Sequence, residues 1–292
     1  MTIPREKLGL ALGFAGVFLF GGTLPMTRLA VSALDPLFLT ATRVTIAGCA
    51  GVAFLLATRR RSPSWAQWRL LALTGFCTII AFPVLMAFAM TQVPAAHGGV
   101  VLGIMPLATI AAATIVTNER PSIGFWLASA AGAAIVVAFM LRHGGGSSIG
   151  LGDFFLLGVV VAGGFGYSLS GRLSQTMPGW EVISWQVALY LPLAAIAMVS
   201  LWPGGLATVP WPAWGGLAYV SFISQFFAFF VFNAAMAMGG VTRVGQLTLL
   251  QPFVIVTLAW PIDGEPIEAT TLLYAAAVVA TVVIGQQMRV KR

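Results

Sequence analysis

PAAHGGVVLGIMPLATIAAATIVTNER, residues 94–120, and GVTRVGQLTLLQPFVIVTLAWPIDGEP, residues 240–266, decide how the rest of the chain is read. In each, a breaker-rich opening (Pro94 to Gly99; Gly240 to Gln246) leads to a proline, Pro106 or Pro252, and then, after twelve intervening residues, to a glutamate, Glu119 or Glu265. The two stretches lie 146 residues apart in a chain that has only five glutamates to place. The same offset pairs Trp68 with Trp214 and Ala89-Met90 with Ala235-Met236. Nearer the N-terminus the offset is 142, where GVFLFGG (16–22) aligns with GVVVAGG (158–164) and Pro36 with Pro178. The chain reads as one unit written twice, 1–145 and 146–292.

Composition fixes the solvent of that unit. Of 292 residues 59% are apolar and 8% charged, against about 45–50% and about 25% in soluble domains. A globule in water cannot cover itself with so few polar side chains, whereas a chain in hydrocarbon has no need to. Disorder and coiled coil both demand far more charge. The two cysteines, Cys49 and Cys77, sit inside apolar runs, so they are expected to be buried thiols and not a disulfide framework.

A spanning helix takes about 20 apolar residues. Cutting the sequence at polar and Pro/Gly clusters leaves ten pieces of that length: 8–33, 36–57, 69–91, 94–116, 121–141, 150–173, 180–202, 212–236, 240–262 and 267–287. The first is too long for a signal peptide's apolar region and reads as a retained helix. The fold class expected is an all-α integral membrane protein of ten transmembrane helices around a central cavity. With five spans in each copy, an odd number, the second copy must insert upside down relative to the first, an inverted-topology repeat of the kind that builds transporters with a site near the midplane. Twelve of the fifteen Lys and Arg residues (Arg5, Lys7, Arg59, Arg60, Arg61, Arg69, Arg120, Arg172, Arg243, Arg289, Lys291, Arg292) fall on one side of this topology. That side is the cytoplasmic one, which holds both termini, and the protein is expected in the cell's inner (plasma) membrane. The net charge of +7 thus follows from topology, and no nucleic-acid partner is expected. Trp65, Trp68, Trp180, Trp202, Trp211 and Trp214 lie at span ends, as interfacial anchors do.

Two halves, each with a Gly-rich first span, a fourth span interrupted by Pro and a Glu just beyond it, resemble the drug/metabolite transporter superfamily in its EamA branch. The match is carried by Ile104-Met105-Pro106 through Glu119-Arg120 to Gly132 and by Gln251-Pro252 through Glu265, and covers nearly the whole chain. Within the branch the sequence is similar to the YddG-type exporters of aromatic amino acids. The resemblance implies a ten-helix basket with a cavity formed by spans one, three, four, six, eight and nine, and a small-molecule substrate. The second copy departs from the pattern in having Pro266 where Arg120 follows Glu119.

Inside a membrane, helix breaks are tolerated where neighbours or a wet cavity satisfy the freed backbone, so paired Gly and Pro clusters mark the candidate cavity. They are Gly21, Gly22 and Pro25 with Gly163, Gly164 and Tyr167; His97, Gly98 and Gly99 with Arg243 and Gln246; and Pro106 with Pro252, joined by Pro83. Asn233, Gln251, Gln225 and Ser224 add uncharged hydrogen-bonding groups, and Phe226 and Phe230 add rings. The alternative at each glycine is close helix packing; for Arg243 and His97 it is snorkelling to the interface. Arg43, about two turns inside span two, is expected to bond neighbouring carbonyls. No Asp or Glu falls in mid-span, which disfavours proton-coupled export of cations and favours facilitative movement of a zwitterion by alternating access. A broad drug/metabolite carrier and a nucleotide-sugar-like carrier are the alternatives in the same class. An integral membrane enzyme is the alternative outside it, and it would need clustered carboxylates or a nucleophile–base pair that this sequence lacks. No metal, cofactor or catalytic residue is expected, and a monomer in the lipid bilayer suffices.

Overall fold

A computed structural model describes residues 5–93, 95–143, 150–263 and 269–291. The chain runs almost wholly as helix: α1 (Arg5–Gly21), α2 (Thr23–Val31), α3 (Pro36–Ala57), α4 (Trp65–Gly75), α5 (Phe82–Gln92), α6 (Ala95–Leu102), α7 (Met105–Val116), α8 (Ile123–His143), α9 (Leu151–Leu173), α10 (Gly179–Ser200), α11 (Trp211–Ala218), α12 (Ala228–Gly239), α13 (Val241–Gln246), α14 (Gln251–Asp263) and α15 (Ala269–Gln287). Among the described residues, seven helical stretches are long and apolar enough to cross a membrane: Arg5–Val31, Pro36–Ala57, Trp65–Gln92, Leu151–Leu173, Gly179–Ser200, Trp211–Gly239 and Thr270–Gln287. At 94–116 and 121–141 the described residues include shorter apolar helices, Met105–Val116 and Ile123–Phe139; at 240–262 α13 and α14 are joined by a 3-10 turn, Leu247–Leu250.

Local chemistry sets the starts of these helices. Asp35 caps α3, its carboxylate accepting from the backbone N–H groups of Leu37 and Phe38 at 2.8 and 3.0 Å, with Pro36 in the first turn. Ser64 and Gln67 form a reciprocal capping box at α4. Between α1 and α2 the Gly21-Gly22 pair interrupts the helix, and Pro25 supplies no N–H for the carbonyl four residues earlier. Nearby carbonyls find partners outside the helix: Leu19 accepts from the Tyr219 hydroxyl at 2.8 Å, and Phe20 from Gln251 Nε2 at 3.3 Å.

The repeat read from sequence recurs in the elements themselves. α4 and α11, α6 and α13, α7 and α14, and α8 and α15 begin 146 residues apart, while α2 and α9 end 142 apart. Both copies also contain a wide, π-helical stretch at the corresponding place, Phe76–Ala81 between α4 and α5 and Tyr219–Phe227 between α11 and α12. The packing obeys the same exchange: α1 lies on α12 and α14 as its counterpart α9 lies on α5 and α7, α3 pairs with its counterpart α10, and α8 with α15. Each half therefore buries its faces largely against the other. Where they meet, Phe20, Tyr167, Phe229 and Phe232 form one buried ring cluster with centroids 5.0–5.9 Å apart.

Outward faces carry exposed apolar side chains such as Phe14, Phe18, Leu193 and Ile284, as a lipid-facing surface does. Cys49 is among the outward residues and Cys77 is only half-buried, so the expectation of two buried thiols is corrected; both are free. Apolar surroundings in sequence do not distinguish lipid from core when both are hydrocarbon. Trp65, Trp202 and Trp211 are well exposed at the ends of their helices.

Candidate functional site

The interrupted helix α1–α2 and the π-helical stretch Tyr219–Phe227 both pack on α3, the π stretch bonding it at Arg43, about two turns from its start. A π turn carries one residue too many for the α-helical ladder, so it aims side chains where a regular helix would not; such turns are frequent at functional sites. Here it presents Ser224, whose hydroxyl is 2.9 Å from Thr23 Oγ1 and accepts from Arg43 Nη2 at 3.3 Å. Arg43 is only 3% exposed, its Nε has no hydrogen-bond partner, and no acid pairs with it among the described residues. Bonding to carbonyls, expected from sequence, is replaced by this single bond to a hydroxyl. Tyr167 belongs to the central ring cluster.

A row of buried amides and hydroxyls continues from the second face of the same stretch. Gln225 Nε2 donates to the Thr78 carbonyl at 3.4 Å, Thr78 Oγ1 to Gln186 Oε1 at 3.3 Å, and Gln186 Nε2 to Ser170 Oγ at 3.3 Å. Thr78 lies in the other π-helical stretch, so both irregular segments feed one polar row. Gln225 Oε1, Asn233 Oδ1, Thr27 Oγ1 and Thr42 Oγ1 are buried without partners. Gln186, Thr78, Thr23 and Ser170 were not singled out from sequence. Isolated Thr, Ser and Gln in apolar spans carry no periodic signal by which they could have been found.

The residues expected to line a cavity fall into several groups. Gly22 and Gly164 sit at helix crossings: a Cβ on Gly22 would come within 2.5 Å of the Tyr219 ring, and one on Gly164 within 2.9 Å of the Ala108 backbone. Gly21 faces Val254, and Gly163 faces Met105 and Phe82. Pro83, Pro106 and Pro252 are buried near the starts of α5, α7 and α14, and Pro25 is half-buried in α2. Gly99, Gln251 and Pro252 do share a crevice, together with Leu102, Thr248 and Ile255. Gly98 is packed against Met90 and Leu24; the side chain of His97 lies outside the described residues, as does Glu265. Gln246 bonds Ser129 and Gln286, tying α13 to α8 and α15. Phe226 is buried and Phe230 half-buried, in a ring contact that extends to Phe54 and Trp180. Asn233 donates to the Gly179 carbonyl at 3.2 Å. Arg243 is ion-paired with Glu6 and reaches the Met288 carbonyl.

At one end of the molecule the halves are joined through Glu119. Gly240 takes φ 87°, ψ 149°, a conformation that L side chains rarely adopt, and turns the chain from α12 into α13. The N–H groups of Val241 and Thr242, in the first turn of α13 and so without a partner inside the helix, donate to Glu119 Oε1 and Oε2 at 2.9 and 2.7 Å, a carboxylate cap on the positive end of a helix from the other half. Glu119 is 3% exposed and borders a cavity of about 500 Å³ with Arg172, Gln175, Met236 and Ala237. A second cavity of about 500 Å³ shares Gln175 and Ala237 and continues to Arg5, Trp180 and Phe230. Arg60 lies over the Trp180 ring at 4.8 Å and pairs with Glu181 at 3.7 Å, while Arg120–Pro121 (β1) forms a two-residue antiparallel pairing with Val290–Lys291 (β2). These contacts gather Arg5, Arg60, Arg120, Arg172, Arg243 and Lys291 at this end. Arg28 stands apart, donating to the carbonyls of Met90 and Val93 at the end of α5.

Comparison with known proteins fits this architecture. The family profile described as the EamA-like transporter family matches twice, over residues 7–141 and 150–284. An uncharacterized transporter of Bacillus subtilis (strain 168), YdeK, is 40% identical over 275 residues, covering 94% of this chain and 96% of its own. A protein crystal structure 19% identical in sequence superposes with a TM-score of 0.76, covering 97% of this chain and 99% of that one, and so shares its fold.

Proposed function

The chain belongs to the EamA-like transporter family, and from that premise we propose that it is a facilitative exporter of small zwitterionic metabolites, amino acids with aromatic or other apolar side chains first among them. In this reading ten spans form two inverted halves, 1–145 and 146–292, in the inner membrane, with both termini cytoplasmic. Rocking of the halves exposes a midplane site first to one side and then to the other.

The observation that carries the substrate class is the buried polar set between the paired irregular segments. It holds unpartnered donors at Arg43 Nε, Thr27 and Thr42, and an unpartnered acceptor at Gln225 Oε1. Buried polar groups are ordinarily satisfied, and each exception asks for a missing partner. Donors and acceptors together suit a molecule carrying both a carboxylate and an ammonium, and the neighbouring ring cluster of Phe20, Tyr167, Phe229 and Phe232 suits an apolar side chain. The gathered arginines favour a cytoplasmic position for that end by the positive-inside rule, and the two cavities beside them offer a way in. Purified protein in liposomes is expected to move tryptophan and phenylalanine faster than threonine or a lipophilic cation, and to keep doing so when the proton gradient is collapsed while the substrate gradient stands. Equal rates for threonine and tryptophan remove the aromatic preference; arrest on collapsing the proton gradient removes the facilitative mechanism.

A further inference from the structure

A guanidinium that is 3% exposed, holds one long bond to a serine and has no acid beside it among the described residues is a costly thing to keep in a membrane interior. Even Arg28, an exposed arginine near the end of α2, is held by two backbone carbonyls, those of Met90 and Val93, whereas Arg43 has no carbonyl partner among the described residues. We infer that Arg43 is the group that recognises the transported molecule, through a single carboxylate. The inference rests on the transporter reading above and narrows it from zwitterions in general to substrates whose carboxylate is obligatory.

The geometry supports this in three ways. First, Nε and the adjacent Nη2 form the side-on fork of the guanidinium; Nε is free and Nη2 holds only Ser224 at 3.3 Å. That fork matches the two oxygens of a carboxylate. Second, the other members of the cluster are themselves mobile in bonding: Ser224 and Thr23 are hydroxyls, able to donate to an arriving oxygen instead of to each other. One turn along α2 from Thr23, Thr27 offers a further buried hydroxyl with no partner. Third, the cluster is built on two irregular segments, the break before α2 and the π-helical stretch Tyr219–Phe227, which are the parts of the backbone best able to shift as the halves rock. A lone cation also selects among oxyanions. A phosphate monoester carries close to two charges at neutral pH, and Arg43 offers it one.

The test uses the purified full-length protein and matched pairs of compounds: L-phenylalanine with L-phenylalaninamide, L-threonine with L-threoninamide, and phenyl phosphate as the other oxyanion. Ligands that bind the folded state raise Tm, by an amount that grows with the logarithm of concentration once the ligand exceeds its Kd. In the native protein the acid of at least one pair is expected to raise Tm at concentrations about tenfold or more below its amide, and below phenyl phosphate. R43Q is expected to abolish that acid-over-amide preference, and R43K, which keeps the charge without the fork, to reduce it several-fold. G215A, at a glycine with open space around it and outside the cluster, is expected to retain it. A merely structural Arg43 predicts a lower Tm for R43Q and R43K with the preference unchanged, and that result overturns the inference, as does absence of the preference from every pair in the native protein or tighter binding of phenyl phosphate. Transport is scored separately in liposomes. Carboxylate binding through Arg43 without movement of either amino acid overturns the export reading and leaves the recognition standing; transport of the amides as fast as the acids overturns the recognition and leaves export standing.

Discussion

Glu119 and Gly22 show how single residues act here, one by joining and one by making room. Glu119 satisfies two backbone N–H groups that start a helix in the other half; a bond from a charged group of this kind contributes about 1.5–3 kcal/mol. Glu119→Gln keeps the shape but leaves one of the two N–H groups facing an amide nitrogen, so Tm is expected to fall by several degrees and Glu119→Ala to lower it further, both measured on the purified protein. At Gly22 even a methyl group meets the Tyr219 ring, whose hydroxyl holds the Leu19 carbonyl. Gly22→Ala is expected to cost about 1–3 kcal/mol by overpacking and Gly22→Leu to abolish transport, whereas Gly215→Ala, with nothing within 4 Å, leaves Tm within about a degree of the native protein. At this scale the sequence was legible in part. Gly22, Gly164 and Glu119 announce themselves by repeat register, but their partners Tyr219, Ala108 and the Val241 amide are set by packing between halves, which no local pattern encodes.

Helix interruptions divide into those written in Gly and Pro and those that are not. The break after Gly21, the turn before Pro106 and the one before Pro252 follow from missing N–H groups and flexible backbone. The π-helical stretches Phe76–Ala81 and Tyr219–Phe227 contain neither Gly nor Pro, and they arise because one extra residue must be accommodated while both flanking helices keep their packing. Removing one residue, for instance Ile80, lets the ladder close as regular helix with both flanks in phase but takes away the wide turn that aims Thr78. Such a deletion is expected to preserve helical content by circular dichroism and to reduce transport at least tenfold, because Thr78 and its row of amides lose their register with Gln186. Retained transport would make the wide turns incidental.

Across the whole molecule the sequence carried the doubling and the apolar solvent, and the elements repeat at the offsets read from it. What it did not carry is how closely the copies interlock, since contacts between α1 and α12 or α9 and α5 are made by ordinary apolar side chains. Opposed orientation of the halves is tested by accessibility labelling: cysteines at Thr58 and Gly150 are expected to react from opposite sides of the membrane in right-side-out vesicles, and reaction of both from one side refutes the inversion. Labels at Arg120 and Lys291, paired in the small ribbon, are expected to share a side.

Because each half completes its packing only against the other, biosynthesis meets a waiting period. When the first copy has left the ribosome the surfaces it packs against the second have no partner, and they must be tolerated by lipid until the second copy has been threaded in behind it. Residues 1–145 made alone should be cleared by proteolysis, yet the two halves made together as separate chains should rescue each other.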